Sequence, residues 1–302
     1  MRIVKMYLGF DIGGTFVKYA WMKRSGEIIK QGKFKTPYET ANSLIERMIE
    51  IYQLSTETVK GIAISCPGKI DIETGVVYYG GALTYLHKTN MIKRISERCG
   101  VPVSIENDGK CAALAEKWQG SVKDYQNSVI LTLGTGVGGG IIINGNLHRG
   151  ANLEAGEQSY VMTGFNHETN KADFVTPGCS ASEMVNEIAK LKGLAENDGV
   201  GVFKYIDSED SEALEIFNRF CKNVAVQILN LQYILDPEIF ALGGGISVQP
   251  AFLKSVKEAV EVIKQANPHH VASPNIVTCH FTSAANLYGA LYHYLIQHES
   301  YQ

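Results

Sequence analysis

The chain has 302 residues, 45% of them hydrophobic, which is enough to bury more than one core, so two domains are the default expectation. Its 28 Lys and Arg against 31 Asp and Glu give a net charge of −3, with no basic cluster that would track a phosphate backbone, which argues against a nucleic-acid partner. Six cysteines (Cys66, Cys99, Cys111, Cys179, Cys221, Cys279) lie far apart without a C-x-x-C pair and read as small buried hydrophobes in a reducing, cytoplasmic setting.

The N-terminal MRIVKMYLGFDIGG is basic and then apolar, but Lys5 and Asp11 interrupt the apolar stretch and no small-residue cleavage site follows. It reads as a strand rather than a signal peptide. Nowhere do about 18 uncharged apolar residues run together, so a soluble protein without a membrane partner is expected. Residues 4–23 read as strand, Gly13-Gly14 turn and strand. Ile45, Met48, Ile49 and Tyr52 predict a helix over 39–54, and VKGIAIS (59–65) is a short buried strand ending at Cys66-Pro67-Gly68. A helix over 90–99 precedes the strand VPVSIEND and a helix over 108–118 that opens on Asp108.

At 128–147 the strand, glycine turn, strand pattern restarts, which suggests a duplicated domain. Residues 148–180 are polar and Gly-rich and predict a long loop or loops. Helices follow over 182–192 and 210–235, the second carried by Ala213, Ile216, Phe217, Phe220, Val224, Ile228 and Leu231. PEIFALGGG (237–245) is a strand running into three glycines, then come a helix at about 250–265, a strand at about 275–281 and a helix over 283–297. A boundary near residue 118 is expected. It gives a small N-terminal α/β domain over 1–117, on which the C-terminal stretch of about 288–302 packs, and a larger α/β domain over 118–287.

Three glycine turns stand out: Asp11-Ile12-Gly13-Gly14-Thr15, Gly134-Thr135-Gly136-Val137-Gly138-Gly139-Gly140 and Gly243-Gly244-Gly245. Glycine tolerates positive φ and has no Cβ to obstruct a phosphate, so such turns let backbone N–H groups converge on an anion. An ordinary tight hairpin or strand-helix connection explains any one of them as well. The first two pair glycine with threonine, and the first adds an acid, which suits a nucleotide phosphate and its metal ion. Gly134, Gly136 and Gly139 also satisfy G-x-G-x-x-G, but the motif needs a helix after it and IIINGNL is strand and hairpin-turn chemistry, which disfavours a dinucleotide oxidoreductase. Glu106-Asn107-Asp108 ends a strand and begins a helix, where side chains point into a cleft at the carboxyl edge of a sheet. Asp108 or Asn107 could simply cap that helix. The alternative is a general base, since phosphoryl transfer needs one carboxylate to take a hydroxyl proton, with donors and Mg²⁺ to hold the phosphates.

LGFDIGGTFVK (8–18), CPGKID (66–71), ENDGKCAA (106–113), LTLGTGVGGGII (131–142), GANLEAGE (150–157) and ALGGGIS (241–247) occur in the order and spacing of the ROK sugar kinases, which the chain resembles over nearly its whole length. The resemblance implies a two-domain actin-like ATPase fold (ribonuclease H-like), with mixed sheets flanked by helices and an interdomain cleft. It also implies an ATP-dependent sugar kinase. On that resemblance Asp108 is the catalytic base, Asn107 a sugar-hydroxyl ligand and Glu157 the acid that grips two sugar hydroxyls, with Gly68 and Tyr160 as further candidate sugar contacts. Gly13, Gly14, Thr15, Lys18, Thr135 and Gly136 would bind the phosphates, Asp11 would organise Mg²⁺ through phosphate and water, and Gly244 and Gly245 would line the adenosine edge. Dimers are usual among such kinases, which makes a homodimer one option.

The likeness breaks at the zinc motif that ROK kinases commonly carry. Where the family has E-x-G-H, this chain reads Glu157-Gln158-Ser159-Tyr160, and of the cysteine motif only Gly178-Cys179 survives, followed by Ser180-Ala181. One cysteine cannot build a four-ligand site, so no zinc is expected, and His167 reads as a solvated loop residue. The lost histidine and glutamate contact the sugar near its anomeric end in typical members, and Gly80-Gly81-Ala82-Leu83 lacks the asparagine often found there. Fewer polar anchors around C1 leave room for an aglycone, which points to the 6-hydroxyl of a β-glucoside or disaccharide, with glucose or N-acetylmannosamine as the alternative substrate. A ROK transcriptional repressor would carry a helix-turn-helix ahead of the first hairpin, which begins here by residue 8. A non-catalytic sugar-binding regulator is the remaining class, and the presence of both Asp108 and the Asp11 turn argues against it.

Overall fold

The computed structural model describes residues 5–299. Residue 4 of the expected first strand and residues 300–302 of the expected C-terminal stretch lie outside the described residues. The chain divides into two compact units, one of Met1–Gly120, Leu147–Ala155 and Ser283–Gln302, the other of Ser121–Asn146 and Gly156–Thr282. The segment Leu147–Ala155, expected at the start of a long loop, thus returns to the first unit.

In chain order the elements are β1 (Met6–Ile12), β2 (Phe16–Met22), β3 (Ile28–Lys35), α1 (Ala41–Gln53), β4 (Val59–Cys66), β5 (Lys69–Asp71), β6 (Val76–Tyr78), β7 (Thr89–Asn90), α2 (Met91–Cys99), β8 (Val103–Asn107) and α3 (Asp108–Gln119). Then follow β9 (Ser128–Leu133), β10 (Val137–Ile143), β11 (Asn146–His148), β12 (Met162–Asn166), β13 (Lys171–Phe174), α4 (Val175–Gly178), α5 (Ala181–Leu191), α6 (Gly199–Asp207), α7 (Ser211–Leu235), β14 (Ile239–Gly243), α8 (Pro250–Ala266) and β15 (Ile276–Thr278). Helix α9 (Ala285–His298) closes the series in the first unit.

Both main sheets are mixed and share one plan. The first runs β3-β2-β1-β4-β8 and the second β11-β10-β9-β14-β15, each an antiparallel hairpin continued by two parallel strands. In β1 the period-2 alternation sends Leu8, Phe10 and Ile12 into a core shared with α1 and α2, and Tyr7 to the opposite face against Leu287, Leu291 and Tyr294 of α9. On that second face Gly9 lies against Leu287, and Asp11 meets Asn286 at the start of α9. The second unit has its own core, built from the apolar stripe of α7 (Ile216, Phe217, Phe220, Val224, Ile228), α8 and the inner face of β9 and β14.

Residues 148–180 are more ordered in structure than a loop. They contain a 3₁₀ turn at Gln158–Tyr160 and the antiparallel hairpin β12–β13, in register Met162↔Phe174 and Asn166↔Lys171, whose turn is fixed by the Asn166 Oδ1 accepting from Glu168 and Thr169 N–H. Neither hairpin face is buried, so no apolar alternation marks it in sequence.

The last turn of α9 is tied to the sheet by Glu299. Its carboxylate accepts from Tyr7 Oη (2.5 Å), Lys60 Nζ (2.5 Å) and Arg24 Nε (3.0 Å). Desolvation acts to raise this carboxyl, but the three donors outweigh it and hold it at about 2, below its ordinary 4.5. A depressed folded-state value stabilises the protein above the unfolded value, and that contribution is lost as pH falls. Glu299→Gln is therefore expected to cost about 1–2 kcal/mol at neutral pH, with the deficit shrinking between pH 4.5 and about 2. Denaturant titrations across that range check it, and a deficit that grows on acidification would contradict it.

Candidate active site

In the first unit the turn between β1 and β2 is held from outside. Gly13 N–H donates to Phe16 O, the Thr36 hydroxyl donates to Gly13 O, Tyr38 Oη donates to Gly14 O, and Thr36 N–H donates to Thr15 O. In a trans peptide the N–H opposes the C=O, so a turn whose carbonyls are engaged on one side presents the Gly14 and Thr15 N–H groups on the other. Asp11 sits at the end of β1, buried. Its Oδ1 accepts from Asn286 Nδ2 (2.9 Å) and Ser65 Oγ (3.2 Å), and its Oδ2 lies 3.7 Å from Lys18 Nζ, which donates to Ser283 O. The structure thus brings Asp11, Gly13, Gly14, Thr15 and Lys18 to one edge of the sheet. Asn286 and Ser65 are partners of Asp11 that sequence reading did not single out.

At the neighbouring β8–α3 junction the cap is Asn107, not Asp108. Asn107 has extended backbone angles, its Oδ1 accepts from Lys110 N–H (3.0 Å), and its Nδ2 donates to Gly68 O (2.9 Å). Gly68 has φ +98°, and a Cβ there would stand 2.3 Å from Tyr79 O, so only glycine fits this approach. Asp108 is the first helical residue, half-buried, with its Oδ1 accepting from Gly109 N–H (2.8 Å). The capping role being taken by Asn107, the Asp108 carboxylate is placed at the positive end of α3 without being the cap.

In the second unit, Gly244 follows β14 with φ +95°, and a Cβ there would meet Leu133 O at 2.1 Å, so the two glycine turns are in direct backbone contact. Together they wall a largely apolar cavity of about 260 Å³, to which Gly134, Gly245, Ser182, Val185, Phe203 and Gln249 contribute. The Gly134 carbonyl accepts from Ser182 N–H and Ser180 Oγ, and the Gly134 N–H donates to Gly136 O. Its size and lining suit a flat apolar base with a few polar edges. Thr135 and Gly136 lie on the same turn, and Thr135 Oγ1 is 3.5 Å from Ser182 Oγ. Ser182, Phe203 and Gln249 carry no motif and were not legible in sequence. Glu157 is half-buried and opens the 3₁₀ turn that fixes β10, through Ser159 Oγ accepting from Val137 N–H, while Tyr160 is 76% exposed.

The residues at the zinc-motif positions do not fit a metal centre. Cys179 is packed in the second core, and burial pushes its thiol up to about 12, whereas metals take the thiolate. Among the described residues no group of three His, Cys, Asp or Glu side chains is placed to hold a metal ion. Of the other cysteines, Cys66, Cys99, Cys111 and Cys221 are buried too, and Cys279 is partly so. Among the described residues no helix is long and apolar enough to cross a membrane.

Comparison with known proteins extends these observations. A β-glucoside kinase of Listeria innocua is 32% identical over 294 residues, covering 95% of this chain and 96% of its own. A ROK family protein of Streptococcus pneumoniae, solved in complex with sucrose, superposes with a TM-score of 0.88 at 32% identity, covering 98% of this chain and all of that one (100%). A ROK glucokinase of Streptomyces griseus, in complex with glucose and AMPPNP, gives a TM-score of 0.76 at 22% identity over 95% and 98% of the two chains, which bears on fold alone. The paired mixed sheets are those of the actin-like ATPase fold. With the family model matching residues 7–297, the chain belongs to the ROK family.

Proposed function

We propose that this protein is an ATP-dependent sugar kinase that phosphorylates the 6-hydroxyl of the non-reducing glucose of a β-glucoside or cellobiose-type disaccharide. The observation that carries the kinase reading is the β8–α3 junction, where Asn107 takes the cap and the Asp108 carboxylate stands at the N-terminus of α3. Asp108 accepts the proton of the sugar hydroxyl as that oxygen forms its bond to the γ-phosphorus, and the bond to the β-phosphate bridging oxygen breaks to release ADP. In the first unit the Gly14 and Thr15 N–H groups and Lys18 are the candidate phosphate donors, and in the second unit Thr135 and Gly136 are. Mg²⁺ arriving with ATP supplies charge neutralisation across the transferring phosphoryl group. Asp11, held by Asn286, Ser65 and Lys18, would organise that ion through water. Gly244, Gly245 and the 260 Å³ cavity would take the adenosine.

Asn107 and Gly68 are the candidate sugar contacts of the first unit, and Glu157 is that of the second. For the identity of the sugar, the support is the tyrosine at 160 and Ala181 in the place of the family's sugar-binding glutamate, together with the β-glucoside kinase relative. An exposed aromatic ring offers stacking to an aglycone in place of hydrogen bonds to a free C1 hydroxyl. A coupled assay comparing cellobiose and arbutin with glucose and N-acetylmannosamine tests it. The glucosides are expected to give the higher kcat/KM, by about 10-fold or more, and a preference for either monosaccharide would reject the glucoside assignment in favour of a simple hexose kinase.

A further inference from the structure

Glu106 is 1% exposed, on the face of β8 that packs against α9, immediately before the cap residue and the proposed base. A buried carboxylate is tolerated only when its oxygens are paired. Here Oε1 accepts from Asn107 N–H (2.8 Å), and Oε2 accepts from Arg149 Nε–H (2.8 Å) and forms an ion pair with Nη2 at 2.7 Å. Arg149 comes from Leu147–Ala155, the segment that re-enters the first unit, and its own carbonyl accepts from Ala155 N–H (3.1 Å), closing that segment on itself. On the far side the Arg149 Nη2 lies 3.4 Å from Nδ1 of His293, a buried residue of α9. Burial pushes His293 down to about 4, so it faces the guanidinium as a neutral ring rather than as a second cation.

Stability alone does not call for this arrangement, because a buried ion pair replaced by apolar side chains of similar volume is often equally stable or more so. What the charged pair adds is direction. The Nε–H of a planar guanidinium donates to one carboxylate oxygen with Nη2 at ion-pair distance from the same atom, while the other oxygen receives the Asn107 amide, which fixes that carboxylate and the backbone it holds. Asn107 is then constrained by three bonds, from its amide to Glu106, its Oδ1 to Lys110 and its Nδ2 to Gly68, and Asp108 is the next residue.

Resting on the reading of Asp108 as base, we propose that Arg149 and Glu106 are positioning residues for the phosphoryl transfer, setting the orientation of Asn107 and Asp108 from the 147–155 segment. The pair touches neither substrate nor nucleotide in this account, and acts through the β8–α3 junction.

The test is kcat set against fold stability, with the best sugar of the panel. Arg149→Met is expected to lower kcat on the order of 10–100-fold, with the stoichiometry of ADP binding unchanged by calorimetry. Glu106→Met/Arg149→Met removes both charges. It is expected to regain the melting temperature that Arg149→Met loses but not the kcat, a split that a merely structural pair would not give. Free guanidinium is expected to raise the kcat of Arg149→Ala and leave that of the parent protein unchanged. If a folded apolar variant keeps kcat within about twofold of the parent, or if kcat returns together with the melting temperature in the double variant, the proposal is overturned. Should neither apolar variant fold, Arg149→Lys decides on the same criterion, because it keeps the charge but not the fork. Asp108→Asn in the same assay separates two failures. Turnover there removes the base itself, whereas an inactive Asp108→Asn beside a fully active Arg149→Met removes only the positioning role.

Discussion

Asp108→Asn is expected to lower kcat by about 10²–10⁴-fold while leaving sugar affinity within about threefold. The amide is isosteric with the carboxylate and keeps an oxygen to accept from Gly109 N–H, and the helix cap is untouched because Asn107 provides it. What is lost is the group that takes the hydroxyl proton as the oxygen attacks. Steady-state turnover and sugar calorimetry on the one variant check both halves. A variant turning over at the parent rate would remove Asp108 from the chemistry, and one that lost sugar binding and turnover in equal measure would make it a ligand rather than a base.

Gly289→Ala is the second large effect, and it acts on the fold. Helix α9 crosses α3 so closely at Gly289 that a Cβ there would lie 1.7 Å from the Cys111 carbonyl oxygen and 2.4 Å from its carbon. The obstacle is backbone, so no rotamer change relieves it and one helix must move. The expected cost is about 3 kcal/mol or more, a melting point lower by roughly 5–10 °C. Because α9 also brings Asn286 to Asp11 and His293 to Arg149, activity is expected to fall in the fraction that remains folded. Gly199→Ala is the control, since a Cβ there meets nothing within 4 Å. A Gly289→Ala protein as stable as that control would show that the helix crossing is looser than its geometry.

Much of this is legible in the amino-acid sequence. The alternation in MYLGFDI, the glycine turns and the long stripe of α7 each express a single local rule, and they recover the strands, helices and repeated sheet plan of the fold. Two kinds of feature were not legible. Elements with no buried face, such as β12 and β13, leave no periodic signature, and the edge strand β3 alternates too weakly to stand out. Partners far apart in sequence leave none either. Asp11 and Asn286 are 275 residues apart, and Glu106 and Arg149 are 43 apart, so neither bond follows from a local pattern. The charged residue buried before Asn107-Asp108 was the available clue, because an acid in the middle of VSIEN demands a cation from somewhere.

The return of α9 to the first sheet also governs when that sheet can be finished during synthesis. Its second face needs Leu287, Leu291 and Tyr294, which leave the ribosome roughly 170–180 residues after α3. At about 5–20 residues per second the nascent first half waits on the order of ten to forty seconds with Tyr7, Ala20, Met22 and Ala63 uncovered. The later-made unit has all its strands and helices before then, so the half translated first is the half completed last.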